Sequence, residues 1–142
     1  MTTVQEILNS KGDQVYTISP QATVFDALKL MGEREVGALV VTEGNRLVGI
    51  ISERDYARKV ILRGRTSRDT LVCEIMTANV VTAHPYQSVE ECMALMTERR
   101  IRHLPVLTGR RLAGMISIGD LVKSIIAEQQ FVIEQLETYI TR

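Results

Sequence analysis

The sequence predicts an α/β fold made of two β-α-β-β-α repeats related by pseudo-twofold symmetry. Residues 15–61 align with residues 80–126 at a constant offset of 65 without a gap, and 18 of the 47 aligned positions are identical. Both copies end in the same Gly-x-x-Ser-x-x-Asp element, at Gly49–Asp55 and at Gly114–Asp120. Because one copy of such a unit rarely buries its apolar face alone, the two copies are expected to pack together, with a ligand cleft along their shared axis.

Each repeat begins with a short β-rich stretch followed by an amphipathic helix. Residues 15–19 form the first stretch, which ends at Pro20 because proline cannot donate to a ladder. Thr23 is predicted to cap the helix, with Asp26 three residues later, and Ser88 with Glu91 repeats this pattern. The apolar stripe of the helix follows the spacing i, i+3, i+4 and i+7 and consists of Val24, Ala27, Leu28 and Met31.

A hairpin and a second helix complete each repeat. Residues 36–42 and 46–52 flank a turn that contains Gly44, and residues 101–108 and 111–117 repeat this arrangement. The runs 38–41 and 47–51 are apolar without alternation, which is typical of strands covered on both faces. The helices that follow are predicted to begin at Ser52 and Ser117.

The chain divides into four predicted segments: a first repeat at 3–62, a linker at 63–71, a second repeat at 72–128 and a C-terminal helical extension at 129–142. The linker is polar and basic. The extension places apolar residues among Glu and Gln, so it is expected to continue the last helix. Its apolar stripe is expected to pack either on its own domain or on a second copy of the chain.

Composition excludes several classes of protein. The chain has 142 residues, 45% of them hydrophobic, and its 17 basic residues balance 17 acidic ones. Without a basic excess, neither nucleic acid nor an anionic membrane is an expected partner. No apolar run approaches the roughly 20 residues that span a bilayer, and no signal-peptide pattern opens the chain, so a cytoplasmic location is expected. Cys73 and Cys92 fit no metal-ligand spacing; buried free thiols are expected, with a disulfide as the alternative.

No catalytic pattern is present. The two histidines, His84 and His103, have no nucleophile or acid beside them in the sequence, and GxSxG, HExxH and phosphate-loop motifs are missing. The chain is therefore expected not to be an enzyme and to hold no catalytic cofactor or metal.

The chemistry that remains belongs to the two Gly-x-x-Ser-x-x-Asp elements. Ser52 and Ser117 lie where a strand gives way to a helix, and free N–H groups at a helix start favour an anion. Asp55 and Asp120 lie one turn further and can accept the two hydrogen bonds that a ribose diol offers. The same pattern also describes a plain helix cap, and the glycines are as readily explained by close packing.

The doubled pattern resembles a tandem pair of cystathionine-β-synthase (CBS) domains, the Bateman module, in its stand-alone form. The resemblance covers residues 3–128. Residues 75–77 match the usual lead-in Ile-Met-Thr, and residues 7–9 are a looser version with three extra residues before Val15. It implies a sensor for energy or another signal that binds AMP, ADP, ATP, NAD or S-adenosylmethionine in two clefts between the repeats. Such a protein is expected to form a homodimer and to regulate an unidentified protein in trans. The alternative is a structural module with no physiological ligand.

The resemblance also assigns site residues, and each cleft is expected to draw on both repeats. The ribose-binding aspartates fall on Asp55 and Asp120, and the hydroxyls on the phosphate side fall on Ser52 and Ser117. The other nucleotide-binding positions are Val15, Tyr16, Val80 and Val81 along the adenine, Val36, Gly37, Ala38, Ile101, Arg102 and His103 at the hairpin entries, and Ile50, Arg54 and Met115 beside the motifs.

The two clefts are expected to differ in charge. Asp120 is expected to face Val15 and Ala38, whereas Asp55 is expected to face Val80 and His103. The Asp55 cleft also collects Arg54, where the other repeat has Gly119, and Arg102 is expected to reach across the axis toward it. The Asp55 cleft is therefore predicted to prefer the more anionic ligand.

Overall fold

A computed structural model describes residues 2–141 and shows the same order of helix, hairpin and helix in both repeats. The N-terminal helix is α1 (Val4–Lys11). The first repeat contains β1 (Thr17–Ile18), α2 (Val24–Arg34), β2 (Ala38–Glu43), β3 (Arg46–Ser52) and α3 (Glu53–Lys59). Helix α4 (Val72–Ile75) leads into the second repeat, which contains α5 (Val89–Arg99), β4 (His103–Thr108), β5 (Arg111–Ser117) and α6 (Ile118–Thr141). The bounds of α2, β2 and β3 become those of α5, β4 and β5 when 65 is added, so the predicted α/β repeat fold is confirmed.

Helices α2 and α5 begin and end in the same way. The amide of Asp26 donates to the Thr23 hydroxyl at 3.1 Å, and the amide of Glu91 donates to the Ser88 hydroxyl at 3.1 Å. Both helices then stop at a left-handed residue, Glu35 or Arg100, each with φ of 55°. The predicted N-caps are confirmed.

The second hairpin strand of each repeat has the predicted bounds, 46–52 and 111–117, whereas β1, β2 and β4 begin later than the sequence predicts. In the first repeat β1 pairs in parallel with β2 over two residues, and β2 pairs antiparallel with β3. Residues 15–16 lie outside β1, because this strand pairs with a single neighbour. Residues 36–37 lie outside β2, because the left-handed Glu35 turns the chain before that strand. In the second repeat the parallel pairing is reduced to one bridge, Ala83 with Val106.

Burial differs between the two long strands of the first repeat. Strand β2 is the middle strand of the order β1-β2-β3, and its residues 38–41 are all buried. Strand β3 lies at the edge, where Gly49 and Ile51 are buried and the other residues are partly or fully exposed. The prediction of strands covered on both faces is therefore correct for β2 and wrong for β3.

The chain packs as two compact units whose bounds cross the sequence repeats. The first-repeat unit consists of Gln14–Val81 with Gly109–Leu112. The second-repeat unit consists of the described residues of Met1–Asp13, Thr82–Thr108 and Ala113–Arg142. Helix α1 therefore belongs to the unit of the second repeat, and α4 to the unit of the first.

The core of the first-repeat unit includes side chains from α4. Val72 and Ile75 are buried against α2, β2 and β3, in a cluster with Val24, Ala27, Met31, Leu39, Val41, Ile51 and Val60. The segment before α4 is ordered by short 3₁₀ turns at Ile61–Arg63 and Ser67–Asp69 and by a buried Thr70, whose carbonyl accepts from the Val24 amide at 2.8 Å. The predicted linker thus packs on the first-repeat unit.

The core of the second-repeat unit includes side chains from α1. The amides of Val4 and Gln5 donate to the carbonyls of Gln87 and Pro85, each at 2.9 Å. Val4, Ile7 and Leu8 are buried. Each lead-in helix therefore completes the core of the repeat that it does not precede.

Helix α6 continues through the predicted extension to Thr141, whereas Arg142 lies outside the described residues. Its large apolar side chains from Ile126 onward remain exposed, among them Phe131, Leu136, Tyr139 and Ile140. Within residues 2–141, no helix is long and apolar enough to cross a membrane. Packing of this stripe on its own domain, one of the two expectations, is wrong.

The two cysteines are both free thiols. Cys92 lies on the buried stripe of α5, and burial raises the pKa of its thiol to about 11. Cys73 is exposed on α4, whose buried face is made by Val72 and Ile75. The expectation of buried thiols is therefore correct for Cys92 and wrong for Cys73.

Candidate functional site

The first Ser-x-x-Asp element caps helix α3. The Ser52 amide donates to Oδ2 of Asp55 at 2.9 Å, and the Asp55 amide donates to the Ser52 hydroxyl at 3.3 Å. The Ser52 hydroxyl also lies 3.1 Å from the same carboxylate oxygen. These reciprocal bonds form a capping box, which holds both side chains at the junction of β3 and α3.

The second element has the same geometry at the start of α6. The Ser117 amide donates to Oδ2 of Asp120 at 2.8 Å, and the Asp120 amide donates to the Ser117 hydroxyl at 3.2 Å. The side chains of Asp55 and Asp120 are 15% and 17% exposed, so both carboxylates remain accessible. The capping interpretation is confirmed in both repeats, and it leaves lone pairs for further hydrogen bonds.

Each aspartate forms an ion pair with a lysine that sequence reasoning missed. Lys59 lies on α3, four residues after Asp55, with Nζ 3.2 Å from Oδ1. Lys11 comes from α1, and its Nζ lies 2.8 Å from Oδ2 of Asp120. The i, i+4 spacing could have revealed Lys59. Lys11 is 109 residues from its partner, and the only hint was Ser124 at the position equivalent to Lys59.

The ion pair with Lys11 keeps Asp120 ionised. Burial alone works to raise the pKa of this carboxyl. The hydrogen bonds from the Lys11 ammonium and the Ser117 amide outweigh burial, so the pKa lies below its ordinary value of 3.8. Asp120 is therefore ionised near neutral pH, so both of its carboxylate oxygens act as acceptors.

The two glycines of the elements serve close packing. A Cβ atom on Gly49 would lie 2.6 Å from Sδ of Met76 and 3.1 Å from the Thr77 carbonyl oxygen. A Cβ atom on Gly114 would lie 2.7 Å from Cδ2 of Leu8. The lead-in helices α4 and α1 thus occupy equivalent places against the two elements, which confirms the packing interpretation.

The hairpin-entry residues lie beside the helix starts in both units. The Glu53 amide donates to the Gly37 carbonyl at 3.1 Å, and Ala38 is the register partner of Ser52. In the second-repeat unit the Ile118 amide donates to the Arg102 carbonyl at 2.8 Å. The structure therefore brings Gly37 and Ala38 to the first element and Arg102 to the second.

The remaining predicted residues divide between the units. Tyr16 is half-buried beside β2, its carbonyl accepting from the Val40 amide at 3.2 Å and its ring centroid 5.2 Å from the Arg34 guanidinium carbon. The others in the first-repeat unit, all partly buried, are Val15, Val36, Ile50, Arg54, Val80 and Val81. Those in the second-repeat unit, also partly buried, are Ile101, His103 and Met115.

The described residues include no group of three or more His, Cys, Asp or Glu side chains that could hold a metal ion. The polar groups at the two elements are hydroxyls, carboxylates, ammonium groups and backbone amides.

Known proteins share this sequence and fold. The CBS domain family model matches residues 4–62 and 72–127. A CBS domain-containing protein of Arabidopsis thaliana, the mitochondrial CBSX3, is 41% identical over 98% of this chain and 72% of its own length. A structure of a putative signal-transduction protein with CBS domains from Burkholderia ambifaria is 57% identical, with a TM-score of 0.88, over 90% of this chain and 96% of that one.

A more distant structure contains ligands. It is the CBS domain pair of the protein MJ0100 in complex with 5′-methylthioadenosine and S-adenosyl-L-methionine. It is 26% identical, with a TM-score of 0.81, over 90% of this chain and 98% of that one. The family model matches both repeats, and the repeats have the same structure at a constant offset of 65 residues. The chain therefore belongs to the CBS-domain family and contains a tandem CBS pair.

Proposed function

We propose that this CBS pair is a regulatory sensor that binds an adenosyl nucleotide at Asp55 and Asp120. One observation carries the proposal: both strand–helix junctions hold an accessible aspartate that reciprocal bonds with a serine fix in place. A fixed carboxylate accepts the two hydroxyls of a ribose without losing further side-chain entropy. The adjacent helix start favours the negative charge of a phosphate.

The two fixed aspartates and the adenosyl ligands of the MJ0100 pair support an adenosyl compound as the proposed ligand. Candidates are AMP, ADP, ATP, NAD and S-adenosylmethionine, which share an adenine and a ribose. The adenine is proposed to lie along the apolar residues Val15, Tyr16, Val80 and Val81. We propose a regulatory role for the bound nucleotide, with no catalytic step.

We further propose that the two sites have unequal preferences. The resemblance assigns Arg54 and His103 to the site of Asp55. It assigns Gly119 and Ala38 to the site of Asp120, although the backbone of Ala38 pairs with Ser52. Added positive charge favours the ligand with more phosphate groups. The Asp55 site should therefore prefer ATP over AMP more strongly than the Asp120 site does.

Signalling requires that ligand binding favour one state of the protein over another. The exposed apolar stripe of α6 is the proposed surface for a homodimer or for the regulated partner, within the cytoplasm. Large exposed apolar patches commonly mark such contacts. Differential binding of nucleotide to two dimer arrangements would then transmit occupancy to the partner.

Calorimetry with purified protein tests the nucleotide sites. AMP, ADP, ATP, NAD and S-adenosylmethionine are first screened by thermal shift, because a ligand that binds only the folded state raises the melting temperature. Asp55→Ala and Asp120→Ala should each remove one site, with at least a ten-fold loss of its affinity, since a hydrogen bond to a charged group is worth about 1.5–3 kcal/mol. Equal losses for ATP and AMP in both variants would contradict the asymmetry. Stabilisation by none of the five would instead favour a structural module without a ligand.

A further inference from the structure

Helices α1 and α6 of the second-repeat unit border a groove with a volume of about 680 Å³. Lys11 and Asp120 lie in its wall, together with Ser10, Lys123 and Ser124. The Lys11 ammonium donates to Oδ2 of Asp120 at 2.8 Å and to the Met115 carbonyl at 2.9 Å. Its side chain is 37% exposed, so the pair borders solvent at the groove.

The Lys11 contact uses hydrogen-bonding capacity that a ribose would need. A carboxylate oxygen has about two lone-pair directions. Oδ2 of Asp120 already accepts from the Ser117 amide at 2.8 Å and from Lys11 at 2.8 Å. A diol that engages both carboxylate oxygens must therefore displace one of these donors. The Ser117 amide is fixed by the helix cap, whereas Lys11 is a flexible side chain that water can solvate, so Lys11 is the donor that leaves.

Lys11 also secures the end of α1. In the first-repeat unit, the Thr77 amide donates to the Ile50 carbonyl at 2.9 Å just after α4. Met115 is the equivalent of Ile50, and its carbonyl accepts from the Lys11 side chain instead. The start of α1 is held by backbone bonds to residues 85 and 87, but its last residue is held through its own ammonium group.

We propose that Lys11 is a built-in competitor for the nucleotide at Asp120, so that ligand binding there releases the C-terminal turn of α1. This inference rests on the proposed function, because it assumes that a ribose is accepted by Asp120. Lys59 also joins its aspartate to a lead-in helix, because its ammonium donates to the Ile75 carbonyl at the end of α4 at 2.9 Å. That end of α4 is held in addition by the backbone bonds between Ile50 and Thr77, which do not depend on Lys59. At the site of Asp120 the Lys11 side chain takes the place of that backbone pairing, so release of Lys11 should loosen α1 more than release of Lys59 loosens α4.

Hydrogen exchange and calorimetry on the full chain test this competition, with Lys11→Met as the variant. Without ligand, the variant should exchange faster at the Gly12 amide, which donates to the Leu8 carbonyl at 2.8 Å in the wild type. Its affinity for S-adenosylmethionine or AMP should rise about five-fold or more, the lower end of typical coupling between sites. Saturating ligand should raise exchange at Gly12 in the wild type to the level of the variant. Lys123→Met is the matched control: it removes a lysine from the same groove but keeps the Asp120 contact, so neither effect is expected.

The outcomes separate this inference from the proposed function. Weaker ligand binding by Lys11→Met would overturn the competition, because Lys11 would then be part of the ligand site. Unchanged exchange at Gly12 in that variant would overturn the role of Lys11 in holding α1. Binding to the wild type without faster exchange would contradict this inference alone. No binding of any nucleotide to either protein would contradict the proposed function as well.

Discussion

The two Ser-x-x-Asp elements form the same cap but neutralise their aspartates in different ways. Asp55 pairs with a lysine of its own helix, whereas Asp120 pairs with a lysine of α1. The difference traces to the three extra residues before Val15. These residues lengthen the lead-in helix: α1 has eight residues and α4 has four. Lys11, in the added turn, therefore bonds to Met115 at the place where Thr77 pairs with Ile50 in the other unit. A constant repeat can thus place its two aspartates in different ion pairs, because the segment packed on each repeat differs.

The largest expected difference concerns the anchors of the two lead-in helices. Leu8→Ala should cost about 2–5 kcal/mol of unfolding free energy, because it leaves a cavity beside Gly114. Met76→Ala, beside Gly49, should cost less, because Met76 is only partly buried. Urea denaturation of both variants measures the difference. A loss in Met76→Ala equal to or above that in Leu8→Ala would show that the helices are anchored alike.

A second comparison adds a methyl group at Gly49 and at Gly114, the glycines that contact Met76 and Leu8. Gly49→Ala should lower the unfolding free energy by about 1–3 kcal/mol, since its new methyl meets the fixed Thr77 carbonyl as well as Met76. Gly114→Ala should cost less, because it meets the end of the flexible Leu8 side chain. The same denaturation experiment ranks them, and a reversed order would mean that Leu8 cannot move aside.

A third comparison uses pH. The pKa of Asp120 is lower in the folded protein than its ordinary value of 3.8, so the carboxylate contributes stability above that pH. The contribution is lost as the pH falls through the folded pKa. Melting temperatures between pH 7 and pH 3 should therefore fall less steeply in Asp120→Asn than in the wild type. If the melting temperature depends on pH identically in both proteins, the ion pair between Lys11 and Asp120 adds nothing to the free energy of folding.

The last comparison concerns the two cysteines, and labelling the exposed one is expected to leave the fold nearly unchanged. Exposed Cys73 should react with a thiol reagent at pH 8 in the native protein, whereas Cys92 should react only on unfolding. Burial raises the pKa of Cys92 to about 11, so almost none of it is thiolate at that pH. Mass spectrometry counts the labels, and Cys73→Ser should remove the fast phase. A fast phase that persists would place Cys92 in solvent.

The sequence predicts the repeat well because the features that define it are local. The caps at Thr23 and Ser88 and the strand–turn–strand patterns all depend on residues a few positions apart. The strand ends at residues 15 and 36 were wrong because pairing partners and a left-handed residue decide them. Two other features depend on segments far apart in the chain. They are the packing of α1 and α4 on the repeats that they do not precede, and the contact of Lys11 with Asp120. Periodicity carries no information about such contacts, so only the structure could reveal them.

Each lead-in helix packs on the repeat that it does not precede, and this arrangement affects how the chain folds during synthesis. Helix α1 is synthesised well before its partners, which are residues 85 and 87, strand β5 and helix α6. The main part of the first-repeat unit, Gln14–Val81, can pack soon after α4 has emerged, while Val4, Ile7 and Leu8 of α1 stay uncovered until the second repeat is made. A chain cut between the two repeats would leave each half with the wrong helix. For this reason, the smallest piece expected to fold alone is the pair.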